Sequence, residues 1–491
     1  MPTGAEIILP WWLFVLMLAL AVLALLDRLF VPSVRWFWRR RINRVVDEIG
    51  QRLQIEIRPF QLTKRQVLID RLVYDPKIIE DARELAREKN EPLELVQAQV
   101  AKYAREIVPA FNAYIYFRIG YWIAKQVAHL LYDVRIGLAH KAALQSVPED
   151  ATVVFTMNHR SNMDYVLVAF LAAERTTLSY AVGEWARIWP LQTLIRAMGA
   201  FFVRRNSGNP LYRSVLERYV HMATHEGVCQ AVFLEGGLSR DGRLRKPKLG
   251  FLDYMLRSFD PQRDRDVVFI PVGINYDRVI EDRSLLRSLD QGAEKRSLWF
   301  VVRTTVRFIL KSFWLMLISR WQRFGYACVN FGEPVSVKDY CREHAIDFRR
   351  LPRPERFEAV AGLARVLMED IRREVPVLPV PMLAAVFDAH PQSWMTATQI
   401  ERRAVKLLNR IAARGANVYQ PGRDRRPYYV AKALDLMCMR HFIEEQDGRY
   451  RLNPSVADIM RYYANSVVLA SEGKGIKPET AAEKEPLDAP T

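Results

Sequence analysis

Histidine and aspartate stand five residues apart in NHRSNMD, as His159 and Asp164, directly after the apolar run Ala151 to Phe155. An imidazole with a carboxylate on one ring nitrogen is held in a single tautomer, and its other nitrogen can draw a proton from an alcohol. Within one helix, five steps of about 100° would set the two side chains roughly 140° apart, too far round to meet. The histidine must therefore precede the helix. Ser161 as N-cap would put Asp164 at the third helical position, a Ser-x-x-Asp arrangement from which the carboxylate can turn back towards His159. By itself the same spacing also suits a polar capping turn in which His159 is incidental. A dyad of this kind activates a hydroxyl brought by the substrate, so no enzyme nucleophile is required, and none of the four cysteines sits in a motif that supplies one.

Three further stretches carry groups suited to an anionic ligand. GAFFVRRN, 199–206, ends an apolar strand with Arg204 and Arg205, which strand geometry sends to opposite faces, so that at most one enters a site. FLEGGLSRDGRLRKPKLG, 233–250, places Gly236 and Gly237 after another strand, with Glu235, Arg240, Arg243 and Lys248 around them. Backbone N–H groups in such a turn suit an oxyanion or a phosphate, and a guanidinium can clamp phosphate through two parallel bonds. In FIPVGINYDRVIE, 269–281, Pro271 is read as ending a buried run. A solvated strand end or a surface turn would use many of the same residues.

These stretches need elements to place them. ATVVF, LSYAV, AFFVRR, CQAVFL, VVFIPVGI and YACVNF, all beyond residue 150, are short apolar runs separated by helix-sized segments. That pattern predicts an α/β fold with a mainly parallel sheet flanked by helices, with function at the loops leaving the strands. Residues 31–110 alternate charged and apolar positions as amphipathic helices do, and 111–380 is expected to hold the α/β domain. EVPVLPVPML, 374–383, reads as a linker or boundary, followed by a mainly helical region at 381–470 whose helix-helix-strand order resembles that of a winged helix but is common elsewhere. Residues 471–491 have the composition of a disordered tail.

The segment 1–30 contains a charge-free run from Ile7 to Leu26. About 20 such residues cover the roughly 30 Å hydrocarbon core of a bilayer, which predicts one spanning helix. Arg28, Arg35, Arg39, Arg40, Arg41 and Arg44 follow it and place the rest of the chain on the cytoplasmic face, the inner-membrane face in a bacterium. Between Leu298 and Ser319, Arg303, Arg307 and Lys311 recur every fourth residue beside aromatic and aliphatic positions. Such a helix suits either a headgroup layer or the surface of its own protein. A net charge of +17 favours anionic partners. The cysteines lack metal-site spacing, so free thiols and no structural metal are expected.

In order and spacing the four stretches resemble the four sequence blocks of glycerolipid acyltransferases. EIVPAFNAYIYFRIGYW, RLRKPKLG and VNFGEPV are similar to the flanks found in the glycerol-3-phosphate and dihydroxyacetone-phosphate branch. The resemblance spans roughly residues 100–385. It implies acyl transfer from acyl-CoA or acyl carrier protein to the sn-1 hydroxyl of glycerol 3-phosphate at a phospholipid membrane, giving lysophosphatidate, without a cofactor or a metal and without nucleic acid. Carried onto this chain, it implies that His159 deprotonates the hydroxyl and Asp164 supports the imidazole. Arg204 or Arg205, Arg240 and Lys248 would bind the phosphate, Glu235, Gly236 and Gly237 would shape its pocket, and Pro271 would help arrange the donor side. Leu238 stands where the branch commonly has arginine, and Asn162 where it often has histidine. Alternatives are an acceptor such as dihydroxyacetone phosphate or a lysophospholipid and, from another class, a membrane-tethered binding protein without catalysis.

Overall fold

A computed structural model describes residues 58–172, 177–183, 191–204, 207–287, 323–413 and 426–471. The apolar run 7–26, the basic-striped stretch 298–319 and the tail beyond 471 lie outside the described residues. Among those described, no helix is long and apolar enough to cross a membrane.

The main sheet is built from β1 (Asp133–Ala139), β2 (Thr152–Met157), β3 (Ser179–Gly183), β4 (Phe201–Val203), β5 (Gln230–Phe233), β6 (Val267–Tyr276), β7 (Tyr326–Phe331) and β8 (Val335–Ser336). Its order is β1-β7-β6-β2-β5-β3-β4, with β8 on β6. Only the contacts of β6 with β7 and β8 are antiparallel, so the sheet is mainly parallel, as the buried apolar runs predict. The six runs named from sequence all became strands. The edge strand β1 was not among them: its middle residues are exposed, Ile136 included, and its pairing comes from β7, nearly two hundred residues away.

Helices cover both faces. In chain order the principal ones are α1 (Arg65–Val73), α2 (Pro76–Lys89), α3 (Leu93–Ile107), α4 (Tyr121–Leu131), α5 (Met163–Ala172), α6 (Pro210–His225), α7 (Gly250–Leu256), α8 (Asp282–Arg287) and α9 (Arg353–Glu374). The C-terminal region adds α10 (Pro379–Ala389), β9 (Met395–Thr396), α11 (Ala397–Ala412), α12 (Arg426–Met439), the hairpin β10 (Ile443–Gln446) and β11 (Arg449–Leu452), and α13 (Ala457–Ser471). The period-two alternation of β6 divides the core between the two faces. Val267 and Phe269 join a cluster with α1–α3, α6, α7 and α9, whereas Ile270, Val272, Ile274 and Tyr276 join one with α5 and the C-terminal region. The N-terminal helices thus have no core of their own.

Two expectations are corrected. The proline-marked segment is no exposed linker: Val375, Val377, Leu378 and Val380 are at most 2% exposed. Pro379 opens α10, a first-turn position where a missing N–H costs nothing. Pro271, for its part, ends nothing, because β6 runs through it to Tyr276. A proline is tolerated there because β6 changes antiparallel partner from β8 to β7 at this point. The Pro271 carbonyl takes the Gly332 N–H from that side at 2.8 Å, so the absent N–H faces the gap between the two strands, where no ladder bond is lost. From α10 to β11 the C-terminal region does follow winged-helix order, with a three-stranded sheet β10-β11-β9. Its helices pack on the catalytic-type domain as part of one core rather than standing apart.

Candidate active site

β2 ends at Met157 and α5 begins at Met163, and the turn between them carries the first motif. Asn158 anchors it: its side-chain amide donates to the Ile274 carbonyl at 2.9 Å and accepts the Ile274 N–H at 2.8 Å, tying the turn to β6. The His159 carbonyl accepts the Ser239 N–H at 2.8 Å, and the His159 N–H donates to Glu235 Oε1 at 2.8 Å, tying it to the loop after β5. Three of the four motifs are thereby joined through a single turn, by the Asn158 side chain on one side and the His159 backbone on the other.

His159 Nδ1 lies 2.9 Å from Asp164 Oδ2. The same oxygen accepts the N–H of Arg160 at 2.7 Å and of Ser161 at 3.1 Å, and Oδ1 accepts the Tyr276 hydroxyl at 2.6 Å. Four donors around a carboxylate that is fully buried make its charged form tolerable there. Because an ionised carboxylate only accepts, Nδ1 carries the proton and Nε2 presents its lone pair. Nε2 has no hydrogen-bond partner among the described residues. Phe233 stacks on the ring at 4.0 Å between centroids and Tyr165 meets it edge-on at 5.4 Å, which leaves the imidazole little freedom to turn.

The capping arrangement forms by half. Asp164 reaches back to the Ser161 N–H, but the Ser161 hydroxyl accepts from Met163 N and donates to Glu281 Oε2 at 2.7 Å. Glu281 also accepts the Asn162 N–H at 3.1 Å, so the fourth motif braces the first. Burial pushes the Glu281 carboxyl up, against these bonds from Ser161 and Asn162. Glu235 is 1% exposed; burial raises its carboxyl to about 7, against the bonds from the His159 and Arg245 N–H groups. The Tyr276 phenol is pushed well above its ordinary value by burial and then by Asp164, and remains a donor.

The anion-binding candidates divide. Arg204 forms a two-bond fork with Glu106, 2.8 and 2.7 Å, between the rings of Tyr103 and Tyr212. That fork holds Nε and Nη2 of the guanidinium on Glu106. Arg205 lies outside the described residues. Arg240 and Lys248 are exposed and pair with no described acidic group, and Lys248 packs along Gly236. Gly236 has φ +65° and a Cβ there would meet Lys248 Cγ at 2.8 Å, so the turn requires glycine. Its N–H is taken by the Phe233 carbonyl, whereas that of Gly237 has no partner among the described residues. Leu238 packs half-buried against the core. Pro271 sits inside the sheet, paired in register with Thr156. Sequence reasoning passed over Asn158, Arg160, Tyr276 and Glu281; all stand within or beside the quoted motifs, but only the fold shows what each one faces.

The C-terminal helix α13 closes this end of the sheet. The Tyr463 hydroxyl donates to Asp282 and accepts the Val279 N–H, and Arg440 pairs with the same carboxylate. Asn465 donates to the Asp241 carbonyl at 2.7 Å, and Asn275 to Ser466 at 3.3 Å.

A model of the acyltransferase family matches residues 140–275, and one described as the glycerol-3-phosphate acyltransferase C-terminal region matches 312–470. A glycerol-3-phosphate acyltransferase of Pseudomonas putida is 29% identical over 421 residues, covering 83% of this chain and 49% of the relative. Those of Xanthomonas axonopodis pv. citri and Ectopseudomonas mendocina are 30% and 32% identical, over 88% and 59% of this chain and 48% and 34% of the relatives. The chain spans about half the length of the first of these relatives or less. Among solved structures, a 1-acyl-sn-glycerophosphate acyltransferase from Thermotoga maritima overlaps 51% of this chain and 79% of its own at 18% identity, with a TM-score of 0.28 that carries no weight here. With one family model over the dyad, another over the region that covers it, and relatives matched along four-fifths of its length, the chain belongs to the glycerolipid acyltransferases.

Proposed function

We propose that this protein is a glycerol-3-phosphate 1-O-acyltransferase acting at a membrane surface. The observation that carries the reading is the buried His159–Asp164 pair, with Nδ1 engaged and Nε2 unpartnered. As the acceptor hydroxyl attacks the thioester carbonyl, Nε2 takes its proton. A C–O bond forms, the C–S bond breaks, and the imidazolium returns the proton to the departing thiolate, giving an ester and a free thiol. Asp164 stabilises the imidazolium, with Tyr276 and the two backbone N–H groups holding the carboxylate in place. The Gly237 N–H is the candidate for receiving the oxyanion, since its neighbour's N–H is already used.

The two substrates contain every group this reaction consumes, so no resident cofactor enters it. The thioester comes from acyl-CoA or acyl carrier protein, both anionic, and the +17 net charge favours either. The run 7–26 would anchor the chain with the catalytic domain on the cytoplasmic face, where the acyl product joins the bilayer. Purified full-length chain given an acyl thioester and glycerol 3-phosphate should release thiol and form lysophosphatidate. Product only with dihydroxyacetone phosphate or a lysophospholipid would move the acceptor, to which Leu238 contributes no cation. Absence of turnover with every acceptor would refute catalysis and favour a tethered binding protein.

A further inference from the structure

Beside the dyad, two more buried polar atoms lack a hydrogen-bond partner among the described residues: Nη2 of Arg160 and Oη of Tyr462. Arg160 is 2% exposed and Tyr462 1%, and the guanidinium carbon lies 5.9 Å from the centroid of the Tyr462 ring. Burying such groups without partners is costly, and native structures do so chiefly where a ligand supplies the missing atom. Both face the same need. A guanidinium only donates, and the Tyr462 phenol, pushed well up by burial and drawn the other way by Arg160, offers its oxygen to that guanidinium while keeping its own O–H to donate. The remaining guanidinium N–H groups and the phenol O–H, donors side by side, fit a group with several oxygens and negative charge.

The fold holds the pair deliberately in place. Arg160 follows His159 in the turn fixed by Asn158, Glu235 and Glu281. Tyr462 rides on α13, whose backbone rests on the loop of the third motif: a Cβ on Gly242 would collide with the Tyr462 carbonyl oxygen. Tyr462 also lines a pocket of about 510 Å³ with Asn465, Asp241, Arg283, Arg287 and Arg461. Arg283 and Arg287 are exposed there and make no ion pair with a described residue, beside the carboxylates of Asp241 and Asp458.

We propose that Arg160 and Tyr462 form an anion-binding pair beside His159 that takes the phosphate of the acceptor, making the C-terminal helix part of the active site. The choice of the acceptor rests on the acyl-transfer reading above. His159 acts on the acceptor hydroxyl, and a small phosphorylated alcohol carries hydroxyl and phosphate on one short skeleton, so a cation on the neighbouring residue is placed to meet the second group. Arg204, one of the cations expected from sequence to do this along with Arg205, Arg240 and Lys248, is forked on Glu106. Phosphate could also arrive on the donor, and the test separates the two.

Tyr462→Phe removes one hydroxyl and leaves the ring on Arg160, so the free protein should still fold and melt cooperatively. Titration calorimetry on the full-length chain, without a donor, would measure glycerol 3-phosphate, inorganic phosphate and coenzyme A in turn. Tyr462→Phe should weaken glycerol 3-phosphate and inorganic phosphate about tenfold, and Arg160→Gln about a hundredfold, the range for bonds to a charged group, with coenzyme A unaffected. Unchanged phosphate affinity in Tyr462→Phe overturns the pair. Weakened coenzyme A with intact glycerol 3-phosphate overturns the assignment to the acceptor. If the wild type transfers no acyl group yet loses inorganic phosphate binding in both variants, the pair stands and the acyl-transfer reading falls.

Discussion

Replacing Glu235 by glutamine should alter how stability depends on pH, beyond any fixed loss. The carboxylate accepts two N–H groups, from His159 and Arg245, each at 2.8 Å. Glutamine can accept one and turns an NH₂ group towards the other, leaving a buried donor facing a donor at a cost of about 1–3 kcal/mol. Against this stands the carboxyl's own titration. Burial raises it to about 7 from an ordinary value of 4.5. Between those values the folded chain keeps a proton that the unfolded chain has released, so the wild type loses stability as pH rises through the window. At 1.36 kcal/mol per pH unit the loss amounts to at most about 3 kcal/mol. Glutamine does not titrate, and the variant lacks this slope. The deficit of Glu235→Gln relative to wild type should therefore be largest near pH 5 and shrink towards pH 8, as read from urea unfolding followed by tryptophan fluorescence at each pH. A deficit independent of pH would refute the argument, because it would mean that folding leaves the affinity of this carboxyl for its proton unchanged. Turnover should fall only about tenfold, since Glu235 holds the backbone of His159 and not its ring.

His159→Ala should lower turnover at least about a hundredfold in a protein that still melts cooperatively, and near-normal thiol release would reject the general base. Arg204→Gln should lower stability by about 1 kcal/mol or more, through loss of the fork to Glu106, while leaving the apparent KM for the phosphorylated acceptor unchanged; a raised KM would restore the phosphate role expected from sequence. Arg240→Ala should act oppositely, raising that KM with no change in melting temperature, since the side chain is exposed and unpaired among the described residues. Gly242→Ala should cost about 1–3 kcal/mol, because φ is +82° and the added Cβ would collide with the Tyr462 carbonyl; unaltered melting would show that α13 yields easily there.

The dyad was readable in sequence because its geometry is local. Five residues, a strand before and a helix after leave few ways to place His159 and Asp164, and a histidine outside the helix with an aspartate in its first turn is the way in which they meet. The parallel strands were readable for the same reason: a strand buried on both faces must be apolar at nearly every position, and of the ten buried residues of β6 only Asn275 carries an amide side chain. Groups whose partners lie far along the chain were not. Nothing local distinguishes Arg204, forked on Glu106, from a free phosphate ligand, or shows that Tyr276 would aim its hydroxyl at Asp164 across 112 residues. A proline inside β6 reads as a stop until the neighbouring strands are seen to change beside it, and EVPVLPVPML reads as a linker until its valines are found in the core. Residue types and short spacings settle which chemistry is affordable at a position, because they act within one turn of chain. Which charge is neutralised, which donor is left waiting and which helix closes the site depend on contacts between distant segments, and those exist only once the sheet has brought the motifs together.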